Sequence, residues 1–214
     1  GSVEAMYRLG SSFMSGQGVA RDTNLGAEWY KRAAEKGHRQ AQLQRGMCFS
    51  RGKGVEQDDA QALHWYRLAA KQGIPQACTN VAVFLELGRG AAADASKAFY
   101  WYQRGARLGH ALGQRYLGDC YMRGIGCKRD RALAQKWYER AHKSGNTSAT
   151  VSLATCLAEG PGGDDPAVVR RVLKLLSSVK DHGRSLLLRG VYHATGSFSL
   201  QLWHRGVGDF LESG

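Results

Sequence analysis

The sequence lacks several patterns that define common classes of protein. No apolar run approaches the roughly 18 residues that a transmembrane helix needs, because even the apolar stretch 81–87 is interrupted by Glu86. The five cysteines are an odd number without a Cys-x-x-Cys pair, which argues against a zinc ribbon and against a complete disulfide framework. The sequence therefore predicts no membrane span and indicates cysteines that are mostly buried thiols.

Motifs for catalysis and for cofactor binding are also missing. No HExxH sequence occurs among the seven histidines, and the equivalent positions of His38 and His110 indicate helix-end residues rather than metal ligands. The Gly-x-Gly turns follow helices rather than strands, unlike phosphate-binding loops. No nucleophile, base and orienting group can be assembled from these patterns. We therefore expect a protein that is not an enzyme and that needs no metal ion or other cofactor.

Positive charge is in excess. Lysine and arginine total 30 against 18 acidic residues, which gives a net charge of +12 and a field that attracts acidic partners. Many of these cations lie where helices are expected to end, and cations there favour the helix dipole. Examples are Lys31, Arg32, Lys36, Arg140 and Lys143. The charge therefore keeps RNA or another polyanion as an alternative partner without establishing one.

The sequence does not assign the protein to a cellular compartment. The first two residues, Gly1-Ser2, are typical of the scar that remains after removal of a purification tag, so a targeting peptide is expected to have been lost with it if the natural protein has one. The odd number of cysteines slightly favours the cytoplasm.

A repeat of 36 residues dominates the sequence. Trp-Tyr pairs begin at residues 29, 65, 101 and 137, and each is separated from the next by 36 residues. Three glycines and one aspartate of each copy keep the same step, at 16, 52, 88 and 124, at 18, 54, 90 and 126, at 37, 73, 109 and 145, and at 22, 58, 94 and 130. A fixed period of this length is the signature of a repeat architecture.

Each copy is predicted to form two helices. In the second copy, residues 41–49 place apolar and small side chains on one helical face, and Gly52 suits the left-handed conformation that closes a helix. Asp58 predicts the N-cap of the second helix, Gln61 completes a possible capping box, and Gly73 predicts the end of that helix. We expect the tryptophans to fill the space between neighbouring helices. A single pair cannot bury both of its faces, so the pairs are expected to stack.

The periodicity weakens towards the C-terminus. Residues 3–148 contain four regular copies, whereas residues 149–184 form a diverged fifth copy in which Leu173-Lys174 replaces Trp-Tyr. Residues 185–214 predict a shortened unit or cap. Its apolar residues, which could fold onto the stack or support self-association, are Leu200, Leu202, Trp203, Phe210 and Leu211.

The run from Ala41 to Ala77 resembles the Sel1-like repeat family, which is similar to tetratricopeptide-repeat proteins. The resemblance rests on the turn 52–55, on Asp58 and on the segment 62–66, and it covers residues 5–148 well and residues 149–214 weakly. It implies an all-α fold, a right-handed α-solenoid of helix-turn-helix repeats, and a non-catalytic adaptor or scaffold.

Two positions depart from the pattern of the other copies. Arg45 and Arg189 stand where Leu9, Leu117 and Leu153 occur, and Ala91 and Cys127 stand where the first two copies have valine. Some secreted members of the family bridge the region of Cys120 and Cys127, so the resemblance implies a disulfide between these residues in an oxidising compartment.

Variable positions of the first helices predict the binding surface, since the resemblance implies that these helices line a concave face. The third position of the helix holds Tyr7, Leu43, Thr79, Arg115 and Val151. The fourth position holds Arg8, Gln44, Asn80, Tyr116 and Ser152, and one turn later come Ser11, Met47, Val83, Asp119 and Thr155. Amide, aromatic and arginine side chains can engage a peptide through backbone hydrogen bonds, stacking and carboxylate pairing.

We therefore expect a protein or peptide partner, for which an acidic sequence is one option. The predicted partner-binding residues are Gln44, Arg45, Asn80, Arg115, Tyr116 and Asp119. Alternatively, these side chains form a solvated wall or a self-association surface. Arg45 either reaches towards an acidic partner or extends past the core and exposes its guanidinium.

Overall fold

The structure, a computed structural model, describes residues 2–179, so the unit predicted at 185–214 and its role in self-association lie outside the described residues. This range contains ten α-helices and no strand. The helices are α1 (Val3–Ser15), α2 (Thr23–Glu35), α3 (Arg39–Arg51), α4 (Asp59–Lys71), α5 (Pro75–Glu86), α6 (Ala95–Arg107), α7 (Ala111–Arg123), α8 (Arg131–Lys143), α9 (Thr147–Ala158) and α10 (Pro166–Ser177). Odd-numbered helices are called helix A and even-numbered helices helix B of repeats 1 to 5.

The described chain divides into two compact units. The first unit contains residues 2–113 and 125–128, and the second contains residues 114–124 and 129–179. Helices α1 to α6 belong to the first unit and α8 to α10 to the second, while α7 has residues in both. No helix of residues 2–179 combines the length and the apolar character that crossing a membrane requires.

The turn from helix A to helix B is fixed at both ends. Gly52 closes α3 with a φ of 63°, as the sequence predicts. The side chain of Asp58 accepts the N–H of Gln61 at 2.9 Å and so caps α4. The N–H of Asp58 itself donates to the carbonyl of Phe49 at 3.1 Å. The second half of the predicted capping box is therefore absent, because the donor that Gln61 would need is already engaged.

Tyrosine packs against a glycine of the facing helix in the hairpins of repeats 1, 2 and 4. Tyr66 is 3% exposed, and a Cβ placed on Gly46 would lie 2.6 Å from its ring. Tyr30 against Gly10 and Tyr138 against Gly118 repeat this contact. The predicted role of tryptophan is thus only partly right. Trp65 is half-buried and packs on the cluster of Ala33, Ala34 and Ala41, at the junction with the preceding repeat, while its neighbour Tyr66 occupies the space within the hairpin.

In repeats 2 to 4 the second glycine of the turn determines how closely the repeat approaches the one before it. A Cβ placed on Gly54 would lie 1.9 Å from the carbonyl oxygen of Thr23, at the start of α2. The same approach joins Gly90 to the carbonyl of Asp59 and Gly126 to the carbonyl of Ala95. Gly18, in the first repeat, has a φ of 76° but no neighbour within 4 Å of the added atom. At Gly54, Gly90 and Gly126, the lack of room for a side chain thus requires glycine in addition to the positive φ.

The cysteines are thiols in this structure. Cys48, Cys120 and Cys156 are buried at one repeat position, as predicted for a core position, and Cys78 is also buried. Cys127 is half-buried. The disulfide between Cys120 and Cys127 is not formed here and remains a prediction for an oxidising compartment.

Two histidines cap helix A where repeats join. His38 Nδ1 accepts the N–H of Ala41 at 3.1 Å. His110 Nδ1 accepts the N–H of Gly113 at 3.3 Å and lies 2.8 Å from Thr79 Oγ1. A ring nitrogen accepts hydrogen bonds only when it is unprotonated, so these caps require the neutral ring. Burial lowers the pKa of His110, which is consistent with that requirement.

The Gly54→Ala substitution should destabilise the protein more than Gly18→Ala. Both changes place alanine at positive φ, at a cost of about 1 kcal/mol in the free energy of unfolding. Only Gly54→Ala adds a steric overlap with the preceding repeat, for which we expect about 1–3 kcal/mol more. Urea unfolding followed by circular dichroism measures the difference. Equal losses in the two variants would show that the glycine does not limit the approach of the repeats.

Acid should weaken the cap made by His110. Because the folded-state pKa is lowered, the stabilisation is complete above the ordinary histidine pKa of about 6.5 and is lost as pH falls through the lower folded-state value. His110→Asn should flatten this loss, since an amide oxygen caps without titrating, as Asn146 does for α9. Urea midpoints across this pH range test the effect, with the exposed His64→Asn as the control. An unchanged pH profile in His110→Asn would contradict it.

Candidate functional site

A stripe of half-buried side chains runs along helix A in the first unit. On α3 it contains Gln44 and Met47, and on α5 it contains Asn80 and Val83. Residues 36 apart occupy equivalent places in successive repeats. The amide of Gln44 therefore corresponds to that of Asn80, and the apolar side chain of Met47 corresponds to that of Val83. Leu87, one turn beyond Val83, is 63% exposed and extends the stripe. These five residues are called the helix A stripe.

The third variable position does not belong to this surface in most repeats. Leu43 is 3% exposed, Thr79 is 1% exposed and Val151 is 2% exposed. Thr79 also faces the capping nitrogen of His110 at 2.8 Å, which ties it to the repeat junction. The prediction that this position lines the binding face is therefore wrong for these repeats, because their side chains pack in the core.

Arg45 is also buried. Arg45 is 8% exposed, and its Nη1 donates to the carbonyl of Ala27 at 3.3 Å. The guanidinium carbon lies 4.4 Å from the ring centroid of Phe49, and Nε is buried without a hydrogen-bond partner among the described residues. Burial lowers the pKa of Arg45. The guanidinium therefore holds α3 against α2, and neither arrangement considered from the sequence, towards a partner or exposed to solvent, is adopted.

Arg115, Tyr116 and Asp119 form a cluster on α7, in the second unit. Arg115 Nη1 donates to Asp119 Oδ2 at 2.7 Å, and the guanidinium carbon lies 4.2 Å from the ring centroid of Tyr116. The hydroxyl of Tyr138, on α8, donates to Asp119 Oδ1 at 2.8 Å. Burial, followed by the negative charge of Asp119, raises the pKa of Tyr138. Asp119 thus orients Arg115 and ties the cluster to α8.

Tyr138 was not predicted as a member of this cluster. The sequence marks it only as part of the Trp-Tyr register, and a hydrogen bond between two helices leaves no local signal. The predicted trio itself comes together because Asp119 lies three residues after Tyr116 and four after Arg115, spacings at which side chains are neighbours on a helix.

The partner-binding residues predicted from the sequence thus fall into three groups. Gln44 and Asn80 lie on the helix A stripe of the first unit, Arg45 lies in the core of that unit, and the three residues of α7 form a cluster in the second unit.

In the described part of the chain, no three His, Cys, Asp or Glu side chains are grouped so that they could hold a metal ion.

Stacked helix hairpins with a fixed turn and a repeated tyrosine contact define an all-α repeat protein of the solenoid class. Residues 3–38, 39–74, 75–110 and 111–146 each match the Sel1 repeat. The chain therefore belongs to the Sel1 repeat family. Proteins of this family generally mediate protein–protein interactions and are generally non-catalytic scaffolds.

Solved structures agree with this assignment. A Sel1 repeat protein from Oxalobacter formigenes is 24% identical over 96% of this chain and 84% of that chain, with a TM-score of 0.82. The protective antigen c5321 of uropathogenic Escherichia coli, which displays an SLR fold, is 29% identical over 100% of this chain but only 46% of that chain, with a TM-score of 0.83. The immunity protein PA5088 from Pseudomonas aeruginosa is 20% identical over 99% of this chain and 82% of that chain, with a TM-score of 0.54. Among curated protein sequences, none is significantly similar.

Proposed function

We propose that this protein is a non-catalytic scaffold that binds a peptide or protein partner along the helix A stripe. The observation that carries the proposal is the pairing of amide and apolar side chains at equivalent, half-buried places on α3 and α5. Gln44 and Asn80 both donate and accept hydrogen bonds, as a peptide backbone does. Met47 and Val83 offer apolar contact beside them, and methionine adapts to the shape of its neighbour.

The end of the stripe indicates the chemistry of the partner. Arg51 is exposed at the end of α3, 36 residues before the exposed Leu87, which directly follows α5. These two side chains therefore occupy equivalent places in successive repeats. A segment that pairs an acidic residue with Arg51 and an apolar residue with Leu87 would complement both, and the net charge of +12 favours an acidic partner.

The cluster on α7 is proposed as a separate contact for an acidic side chain. Asp119 and the ring of Tyr116 hold the Arg115 guanidinium in one orientation. A preoriented guanidinium loses less side-chain entropy when it pairs with a carboxylate.

Peptides selected from a phage-displayed random library against the purified protein provide the probe for this proposal. The double variant Gln44→Ala/Asn80→Ala should weaken binding of the selected peptides at least about tenfold, because each lost hydrogen bond contributes about 1 kcal/mol. Isothermal titration calorimetry with the synthetic peptides measures the effect. Gln61→Ala/Gln103→Ala removes two amides from helix B and serves as the matched control.

Unchanged affinity in Gln44→Ala/Asn80→Ala, or equal losses in the two double variants, would overturn the role of the helix A stripe. Arg115→Ala/Tyr116→Ala tests the α7 cluster separately, with circular dichroism to verify folding. This variant should lose affinity for peptides with acidic residues, and retained binding would remove the cluster from the proposal.

A further inference from the structure

The outer sides of α4 and α6 carry two rows of aromatic and basic side chains. Within each helix the members are separated by three, four or seven residues and therefore lie on one face. These residues are His64, Arg67 and Lys71 on α4, and Tyr100, Arg104 and Arg107 on α6; together they are called the outer helix B face. Five of the six are exposed and Arg104 is half-buried.

The two rows are joined into one surface within the first unit. Arg104 Nη2 donates to the carbonyl of Lys71 at 3.4 Å, so the last turn of α4 touches α6 directly. The side chain of Gln72 likewise reaches back to the carbonyl of Gly37 at 3.0 Å, which continues the edge towards α2. The cations of one repeat therefore follow those of the next along the stack.

The positive charge of this face is not compensated locally. Within residues 2–179, Arg67, Lys71 and Arg107 form no ion pair, and α6 contains no acidic residue. The single acidic residue of α4, Asp59, is engaged by Arg89 at 2.6 Å. On α2, by contrast, Glu28 compensates the neighbouring cations. A helix dipole accounts for cations in a last turn, but Arg67 lies before the last turn of α4.

An exposed aromatic ring stands within this row of cations. Tyr100 is 56% exposed, and its ring meets Trp101 edge-on at 5.5 Å. The guanidinium carbon of Arg104 lies 5.3 Å from the ring centroid of Trp101. Single-stranded nucleic acids bind where cations follow the backbone and aromatic rings stack on bases. The acidic side chains of a peptide would pair with the cations but would not stack on the exposed ring as a base does.

We propose that the outer helix B face binds single-stranded nucleic acid, through phosphate contacts to Arg67, Lys71 and Arg107 and base stacking on Tyr100. This surface lies on helix B, so it is separate from the helix A stripe and does not depend on peptide binding there. A scaffold with both surfaces would hold a protein partner and a nucleic acid at once.

Fluorescence anisotropy with a labelled oligouridylate tests the phosphate contacts. We expect wild-type protein to bind at low salt, with affinity that falls steeply as salt is added. The triple variant Arg67→Glu/Lys71→Glu/Arg107→Glu should bind at least about thirtyfold more weakly, and the slope of log affinity against log salt should fall by about two. The control variant Arg21→Glu/Lys53→Glu/Lys128→Glu makes the same change in net charge on exposed turn residues.

At about 0.15 M salt the control should lose less than about threefold in affinity, because charges more than about 8 Å from the bound strand are then screened. Tyr100→Ala should weaken binding about tenfold, whereas Tyr100→Phe should retain it, since stacking needs only the ring. Equal losses in both triple variants, no binding at low salt, or wild-type affinity in Tyr100→Ala would overturn the proposal. Displacement of the probe by oligoglutamate at equal charge concentration would assign the surface to acidic proteins instead.

Discussion

The fold depends on the contact, in repeats 2 to 4, between the second glycine of the turn and the first turn of helix B of the preceding repeat. At Gly54 and Gly90 the missing side chain lets backbone approach backbone at distances that no Cβ would permit. This approach seats each hairpin on the one before it, so that Trp65 can pack on the alanines at the junction. Because an isolated hairpin leaves one face unburied, the junction is as necessary to the fold as the tyrosine within each hairpin.

Regular stacking also creates the surfaces that the proposed functions use. Since the same contact repeats every 36 residues, side chains at equivalent positions line up without any further interaction. On helix A this alignment brings together the amides of Gln44 and Asn80, and on helix B it brings together the cations near Lys71 and Arg107. The same repeat geometry therefore produces two chemically different faces. Substitutions on either face can alter its chemistry without disturbing the contacts between repeats.

The sequence predicts those features whose causes are local. Gly52 and Asp58 act through their own backbone conformation and through bonds three residues away, so the helix ends were predictable. The roles of the adjacent Trp65 and Tyr66 were harder to separate, since both are large and aromatic and their different contacts, Tyr66 with Gly46 and Trp65 with the alanines of the junction, are made with other helices. Variation from copy to copy selected Gln44 and Asn80, which are half-buried in the structure. It failed at Leu43, because a variable position can line a surface or a junction, and burial depends on neighbouring repeats rather than on the sequence around the residue.

Nuclear Overhauser effects across the junction test the central claim most directly. A Cβ placed on Gly54 would lie 3.1 Å from the methyl carbon of Ala27, so the α-protons of Gly54 should give a strong effect to that methyl group. Gly90 should show the equivalent effect to protons at the start of α4, and Gly18 should show none to any other repeat. Absence of the effect from Gly54 to Ala27 in the folded protein would contradict the stacking on which the fold and both proposed surfaces depend.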